Sequence, residues 1–281
     1  MEKSPDRIRI LAKIEEYERN GRFDEDIEDD PPSRELLPDE VDYLQKKLST
    51  RLKSKYAFYQ ARKYLNKIIN NKEMIVDDII GCENISNLKT GAIITCNHFN
   101  AFDSFAIQMA YEKSVTNKHV KFFRVIREGN YTSFPGFYGF LMRNCNTLPL
   151  SSNAKTMQNF MRSVNTLLQE GNLVLVYPEQ SLWWNYKKPK PLKKGAFQFA
   201  VKANVPVVPC FITMKESDII GNDGFYIERY TIHIGKPIMP KDDLSNQENI
   251  EYMLNENYRV WKDIYESVYQ TKLKYLTNEN N

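Results

Sequence analysis

Residues 92–113, AIITCNHFNAFDSFAIQMAYEK, place a short apolar run directly before a longer helical pattern. The run at 92–96 is continuous rather than alternating, as in a strand buried on both faces, and residues 101–113 have the spacing of a helix. The same succession of short apolar runs and helical stretches continues toward the C-terminus. We therefore predict an α/β fold, in which helices flank a central, largely parallel sheet.

The rest of the chain fits this class of fold. Strands are predicted at 120–126, 173–177, 205–213 and 226–235, and helices at 154–169, 195–203 and 246–275. The 281 residues, 42% of them apolar, exclude disorder throughout. No stretch has the ~18 consecutive apolar residues of a membrane span, and the N-terminus lacks the apolar segment of a secretory signal. We therefore expect a cytoplasmic protein, whose four dispersed cysteines are reduced and hold no metal.

The net charge of +3 hides an asymmetry along the chain. Residues 1–42 hold 15 acidic and 7 basic residues, whereas residues 43–72 hold 9 basic and no acidic ones. Residues 1–40 are predicted to form an acidic arm or linker, residues 41–72 an N-terminal basic amphipathic helical segment, and residues 73–281 the α/β domain. A basic amphipathic helix is typical of a protein that lies on an anionic membrane. The alternative is that this helical segment is a cap packed on the α/β domain. Nucleic acid fits the charge alone and is not a predicted partner.

Polar side chains follow two of the predicted buried strands. His98 follows the first, with Asp103 five residues further on, and Glu179 follows the strand at 173–177. Ligands of open α/β sheets bind in the crevice beyond the carboxyl ends of the strands. An aspartate there can hold an imidazole in one tautomer, which leaves the other nitrogen to take a proton from a hydroxyl. His98 is therefore a candidate general base, although the H-x-x-x-x-D spacing alone is weakly specific.

Four blocks stand in order along the chain: NHFNAFD (97–103), FLMR (140–143), YPEQSL (177–182) and VPVVP (205–209). Together they resemble the blocks of the glycerolipid acyltransferase family, whose best-known members are 1-acylglycerol-3-phosphate acyltransferases. The resemblance implies an O-acyltransferase that moves a fatty acyl group to the free hydroxyl of a lysophospholipid such as 1-acylglycerol-3-phosphate. The co-substrate would be acyl-CoA or acyl-ACP (acyl carrier protein), with no bound cofactor or metal. His98, oriented by Asp103, would be the base, without a covalent acyl-enzyme.

The resemblance also implies which residues bind the acceptor. Arg143 and Glu179 would position its headgroup, and Ser181, in the same block as Glu179, would also bind the substrate. The family's Glu-Gly-Thr-Arg is here Glu-Gln-Ser-Leu, so an arginine for the acceptor phosphate is missing. Compensating charge is predicted from a basic set that comprises Arg124, Arg127, Lys187, Lys188, Lys190, Lys193 and Lys194. The departure leaves open a non-phosphatidate acceptor, such as a glycolipid or another lysolipid, and a non-catalytic lipid-binding module of the same fold.

Trp183 and Trp184 directly follow the third block. Tryptophan favours the membrane interface, although adjacent tryptophans also pack against protein cores. We predict that both contact the membrane or the acyl chain. Together with the basic helix, they predict peripheral association with an anionic membrane at its inner, cytoplasmic face.

Overall fold

The computed structural model describes residues 2–28 and 33–279, and in these ranges seven strands form one sheet. The strands are β1 (Ile75–Ile80), β2 (Ala92–Thr95), β3 (Phe122–Ile126), β4 (Thr147–Pro149), β5 (Leu173–Val176), β6 (Val207–Ile220) and β7 (Tyr226–Ile234). They lie in the order β1-β7-β6-β2-β5-β3-β4, and β6 and β7 are the antiparallel neighbours in an otherwise parallel sheet. The predicted α/β fold with a largely parallel sheet is confirmed.

Helices cover both faces of this sheet. They are α1 (Pro5–Arg19), α2 (Leu48–Asn70), α3 (Glu83–Ser86), α4 (Asp103–Ser114), α5 (Glu128–Thr132), α6 (Gly136–Asn144), α7 (Ala154–Gln169), α8 (Gly195–Ala203) and α9 (Asn246–Tyr269), followed by a 3₁₀ turn at Leu276–Glu279. Ile93 of β2 shares a buried cluster with Phe160 of α7, whereas the next residue, Ile94, shares a different one with Ala106 of α4. Because successive strand residues point to opposite faces, a strand covered on both faces is apolar throughout.

Two predicted helices are shorter than the sequence pattern indicates, whereas α7 and α8 have the predicted bounds. The basic helix, expected from residue 41, begins at Leu48. The preceding residues are held against the sheet, since Tyr43 is buried and its hydroxyl donates to the carbonyl oxygen of Pro149 at 2.8 Å. At the other end of the chain, α9 stops at Tyr269 because Gln270 adopts a left-handed φ of 50°.

α2 has one buried side and one exposed side. Its buried side includes Ala57 and Leu65, which pack in the apolar interior of the protein. Its exposed side carries an apolar stripe, each member of which is more than half exposed: Leu48, Leu52, Tyr56 and Tyr59. We call these four residues the α2 stripe. Of the residues that the structure describes, none forms a helix with the length and apolar character needed to cross a membrane.

Residues 2–28, which we call the packed arm, lie against the domain. Ile14, Tyr17 and Ile27 of the packed arm form a buried cluster with Trp183. The Glu18 carboxylate accepts the backbone N–H of Leu276 at 3.1 Å, which ties the packed arm to the C-terminal turn. Residues 29–32 of the predicted acidic arm or linker lie outside the described residues. The part that precedes them is packed on the domain and does not extend from it as a linker.

Candidate active site

Three neighbouring strands end at one edge of the sheet, and a predicted site residue follows each of them. β5 pairs in parallel with β2 on one side and with β3 on the other. His98 follows β2, Glu179 follows β5 and Arg127 follows β3. The carboxyl ends of parallel strands share an edge, so the topology brings these three residues to the same crevice.

His98 and Asp103 form a close pair in this crevice. Nδ1 of His98 lies 2.6 Å from Oδ2 of Asp103, the first residue of α4. The carboxylate is 1% exposed, whereas the imidazole is 27% exposed and accessible from solvent. A carboxylate accepts hydrogen bonds, so Nδ1 carries the hydrogen and Nε2 is left as the nitrogen that can accept a proton. The geometry is that of an oriented general base.

Tyr177, a residue for which the sequence predicts no role, fixes Asp103 from the other side. Its hydroxyl donates to Oδ1 of Asp103 at 2.8 Å, and its ring stacks on the imidazole of His98 with 4.1 Å between centroids. The backbone N–H of Phe99 donates to Oδ2 of Asp103 at 3.1 Å. Burial and the charge of Asp103 raise the pKa of Tyr177 well above its usual value, so the phenol remains a donor. Both carboxylate oxygens are therefore held in place.

Glu179 is buried beneath the histidine and faces groups of the protein itself. Oε2 accepts the backbone N–H of His98 at 3.1 Å, and Oε1 accepts that of Lys190 at 2.9 Å. Nζ of Lys190 lies 3.5 Å from Oε2, and both side chains are almost fully buried. Burial raises the pKa of Glu179 and lowers that of Lys190, and each charge opposes the shift of the other. The predicted contact of Glu179 with an acceptor headgroup is not what this geometry provides: Glu179 positions the backbone of His98.

Comparisons with known proteins bear on this part of the chain. Residues 78–213, which include His98, Asp103 and Glu179, match the family model described as Acyltransferase. Residues 78–213 are thus identified as an acyltransferase domain. A comparison with curated proteins gives no match. Among solved structures, the chain is similar to the 1-acyl-sn-glycerophosphate (LPA) acyltransferase PlsC from Thermotoga maritima, with 19% sequence identity, coverage of 81% of this chain and 99% of that chain, and a TM-score of 0.48.

The prediction of an acyltransferase is thereby confirmed. The lysines beside the third block have a predicted role at the acceptor phosphate. Every lysine of the set is paired with a carboxylate of the chain. The pairs are Lys187 with Glu228 at 3.1 Å, Lys188 with Glu18 at 2.5 Å, Lys190 with Glu179 at 3.5 Å, Lys193 with Asp24 at 2.9 Å, and Lys194 with Glu251. Two of these carboxylates, Glu18 and Asp24, belong to the packed arm. The positive charge near the third block of the acyltransferase domain is therefore largely compensated within the protein.

The packed arm also covers the residues that directly follow Glu179. Ser181 is buried, donates to the carbonyl oxygen of Phe23 at 2.6 Å and accepts from Nζ of Lys190 at 2.8 Å. Trp183 is fully buried and stacks on Phe23 with 5.6 Å between centroids. The predicted roles of Ser181 in substrate binding and of Trp183 in membrane contact therefore do not fit their positions. Trp184 is partly buried, with the guanidinium of Arg7 4.6 Å from its ring centroid.

The three arginines with a predicted role at the acceptor, Arg124, Arg127 and Arg143, lie in different surroundings. Arg143 donates to the carbonyl oxygens of Tyr131 and Phe134, and among the described residues no contact joins it to His98 or Asp103. Its contact with the headgroup stays a prediction. Arg124 is held by Gln108 and by the carbonyl oxygen of Cys145. Arg127 remains at the sheet edge, where it pairs with Asp26 of the packed arm and donates to the carbonyl oxygen of Gln180.

Proposed function

We propose that the protein transfers a fatty acyl group from an acyl thioester to the free hydroxyl of a lysophospholipid, with His98 as general base. The observation that carries the proposal is the 2.6 Å contact between His98 Nδ1 and a buried Asp103 carboxylate, beside an imidazole that remains partly exposed. The acyltransferase family of the domain supports the reaction type. The thiol carrier of the donor is coenzyme A or acyl carrier protein.

The proposed reaction needs one proton acceptor and no covalent intermediate on the protein. Nε2 of His98 takes the proton of the lysolipid hydroxyl while that oxygen attacks the thioester carbonyl carbon. The tetrahedral intermediate collapses with loss of the thiolate, which receives the proton back from the imidazolium. Asp103 stabilises the imidazolium through Nδ1 and keeps the ring in one orientation. Tyr177 and the N–H of Phe99 hold Asp103 for this task.

The tetrahedral intermediate also needs donors for its oxyanion, and the start of α4 is the region expected to supply them. Three backbone N–H groups there are already engaged. That of Phe99 donates to Asp103, that of Phe102 donates to Oδ1 of Asn100 at 2.8 Å, and that of Asp103 donates to the carbonyl oxygen of Asn100 at 3.4 Å. The oxyanion donors in the proposed mechanism are therefore other groups than these three.

The proposed activity is tested with the purified full chain and a panel of lysolipids, each supplied with acyl-CoA or with acyl carrier protein loaded with the same acyl group. We expect at least one lysolipid to gain one acyl chain, as identified by mass spectrometry, with release of one thiol per product. Omission of the lysolipid is the control, because it isolates thioester hydrolysis. Vesicle binding without turnover on any acceptor would instead favour the non-catalytic lipid-binding module.

We also propose that α2 holds the protein on the inner, cytoplasmic face of an anionic membrane. The α2 stripe presents leucine and tyrosine side chains to solvent, and exposed basic residues flank it on the same helix, among them Arg51, Lys55 and Lys63. Apolar side chains can enter the boundary between headgroups and acyl chains, while each nearby lysine or arginine adds about 1 kcal/mol at an anionic surface. A membrane site would bring the lysolipid and the enzyme together.

Leu52→Glu is expected to weaken binding to vesicles that contain an anionic phospholipid by about tenfold or more, because it removes a buried leucine from the complex and adds repulsion. Met239→Glu is the matched control, since Met239 is 49% exposed and lies outside α2. Co-sedimentation with vesicles of graded anionic content measures both. Equal binding of the two variants would favour a helix that is only a cap on the domain.

A further inference from the structure

One short segment of the packed arm forms a wall of the crevice. The carbonyl oxygen of Phe23 accepts from Ser181, and that of Glu25 accepts the indole N–H of Trp183 at 2.9 Å. Between them, Oδ1 of Asp26 accepts the backbone N–H of Leu182 at 3.1 Å. These contacts satisfy buried polar groups and cover a buried indole, so the segment is an integral part of the wall.

Asp26 engages two donors that suit an anion. One is the backbone N–H of Leu182, and the other is the guanidinium of Arg127, with which the carboxylate is paired. A guanidinium together with a backbone N–H is a typical set of ligands for phosphate oxygens. The carboxylate therefore takes the place that a phosphate monoester would need at these donors. Solvent reaches the pair, since the Arg127 side chain is 42% exposed and that of Asp26 is 28% exposed.

This pair lies at the same edge of the sheet as the proposed base. Arg127 directly follows β3, which pairs with β5, and β5 pairs with the strand that leads to His98. The residue after Leu182 is Trp183, whose backbone N–H donates to the carbonyl oxygen of His98 at 3.4 Å. Asp26 therefore contacts Leu182, and the next residue, Trp183, contacts the backbone of His98.

We propose that Asp26 is a specificity-determining residue, which directs the enzyme to lysolipids whose headgroup carries no net negative charge. The inference rests on the proposed function and adds the acceptor class. Asp26 compensates Arg127 and occupies the N–H of Leu182, so a phosphate monoester meets neither net positive charge nor an unoccupied pair of donors. To bind there, a phosphate would have to displace the carboxylate or lie beside it, and such a cost is an effective way to reject a competing substrate.

The test compares D26N with E25Q, its matched control. Both variants remove one negative charge from neighbouring positions, but the Glu25 side chain is paired with Arg22 and not with Arg127. We measure kcat and KM for lysophosphatidate and for lysophosphatidylcholine. The unchanged protein should prefer lysophosphatidylcholine, and D26N should raise kcat/KM for lysophosphatidate by about tenfold or more, mainly through KM. E25Q should leave the ratio of the two acceptors unchanged.

Calorimetric binding of glycerol 3-phosphate gives a readout that does not need turnover. D26N should bind it about tenfold or more tightly than the unchanged protein and E25Q. Preference of the unchanged protein for lysophosphatidate, or weaker phosphate binding by D26N, would overturn the role of Asp26. Absence of acyl transfer to every acceptor would refute the proposed function, while the glycerol 3-phosphate comparison still decides the role of Asp26. If D26N does not fold, D26S serves as the second variant, because it also removes the carboxylate charge beside Arg127.

Discussion

The H98A protein is expected to fold normally and to lose acyl transfer by about 10²- to 10⁴-fold, which is the range that a positioned general base contributes. Without the imidazole, the lysolipid hydroxyl loses the base that Asp103 orients. The loss should appear in kcat as well as in kcat/KM, because the proton moves only in the transition state. Thiol release that depends on the lysolipid measures the rate, and a thermal melt checks the fold.

H119A is the matched control for this experiment. His119 is exposed and lies in the connection before β3, outside the crevice. The H119A protein should transfer acyl groups at the rate of the unchanged protein. An H98A protein with more than about a tenth of that rate would contradict the assignment of the base, because general base catalysis contributes more than this.

The E179Q protein is expected to be less stable by about 3–5 kcal/mol, because the substitution leaves the charge of Lys190 buried without its carboxylate. Lys190 is 1% exposed, and its remaining hydrogen-bond acceptors are the backbone oxygen and the hydroxyl of Ser181. Those neutral acceptors cannot replace the attraction of an anion. Urea denaturation measures the free energy of unfolding, provided that the transition has one step.

Two further proteins show whether the effect comes from the pair. E179Q/K190M removes both charges, so it should recover most of the stability that E179Q loses. E251Q breaks the exposed ion pair between Glu251 and Lys194 and should cost less than about 1 kcal/mol. A double variant as unstable as E179Q, or an E251Q protein equally unstable, would contradict the buried pair as the cause.

The sequence predicts the sheet well because its central strands are buried on both faces. Continuous runs such as those at 92–96 and 173–177 have few structural alternatives, and the residues after them necessarily lie at the sheet edge. The H-x-x-x-x-D spacing connects β2 with the first turn of α4, so the pairing of His98 and Asp103 is a local property that a sequence can carry. The four sequence blocks that resemble those of the glycerolipid acyltransferase family indicated the type of reaction.

The contacts that sequence analysis missed are long-range contacts of polar side chains. A run of lysines usually marks a solvated surface. The side chain of Lys190 is nevertheless buried, and the carboxylate of Glu179, eleven residues away, accepts its backbone N–H and pairs with its ammonium group. Asp26 and Leu182 are 156 residues apart, and the acidic composition around Asp26 indicates a linker when it is considered alone. Adjacent tryptophans suggest an interface, although Trp183 is covered by the packed arm.

The packed arm contacts both the residues that follow Glu179 and the C-terminal 3₁₀ turn, and this has a consequence for the order of folding. Ser181 is 158 residues from its partner Phe23, and Leu276 is 258 residues from Glu18. During synthesis the packed arm emerges well before its docking partners, which follow it in the chain by these distances. Contacts so distant along the chain carry a large loop-closure entropy and form late. Seating of the packed arm is therefore a closing step of folding, and a nascent chain that stalls before residue 276 lacks the contact between Glu18 and Leu276.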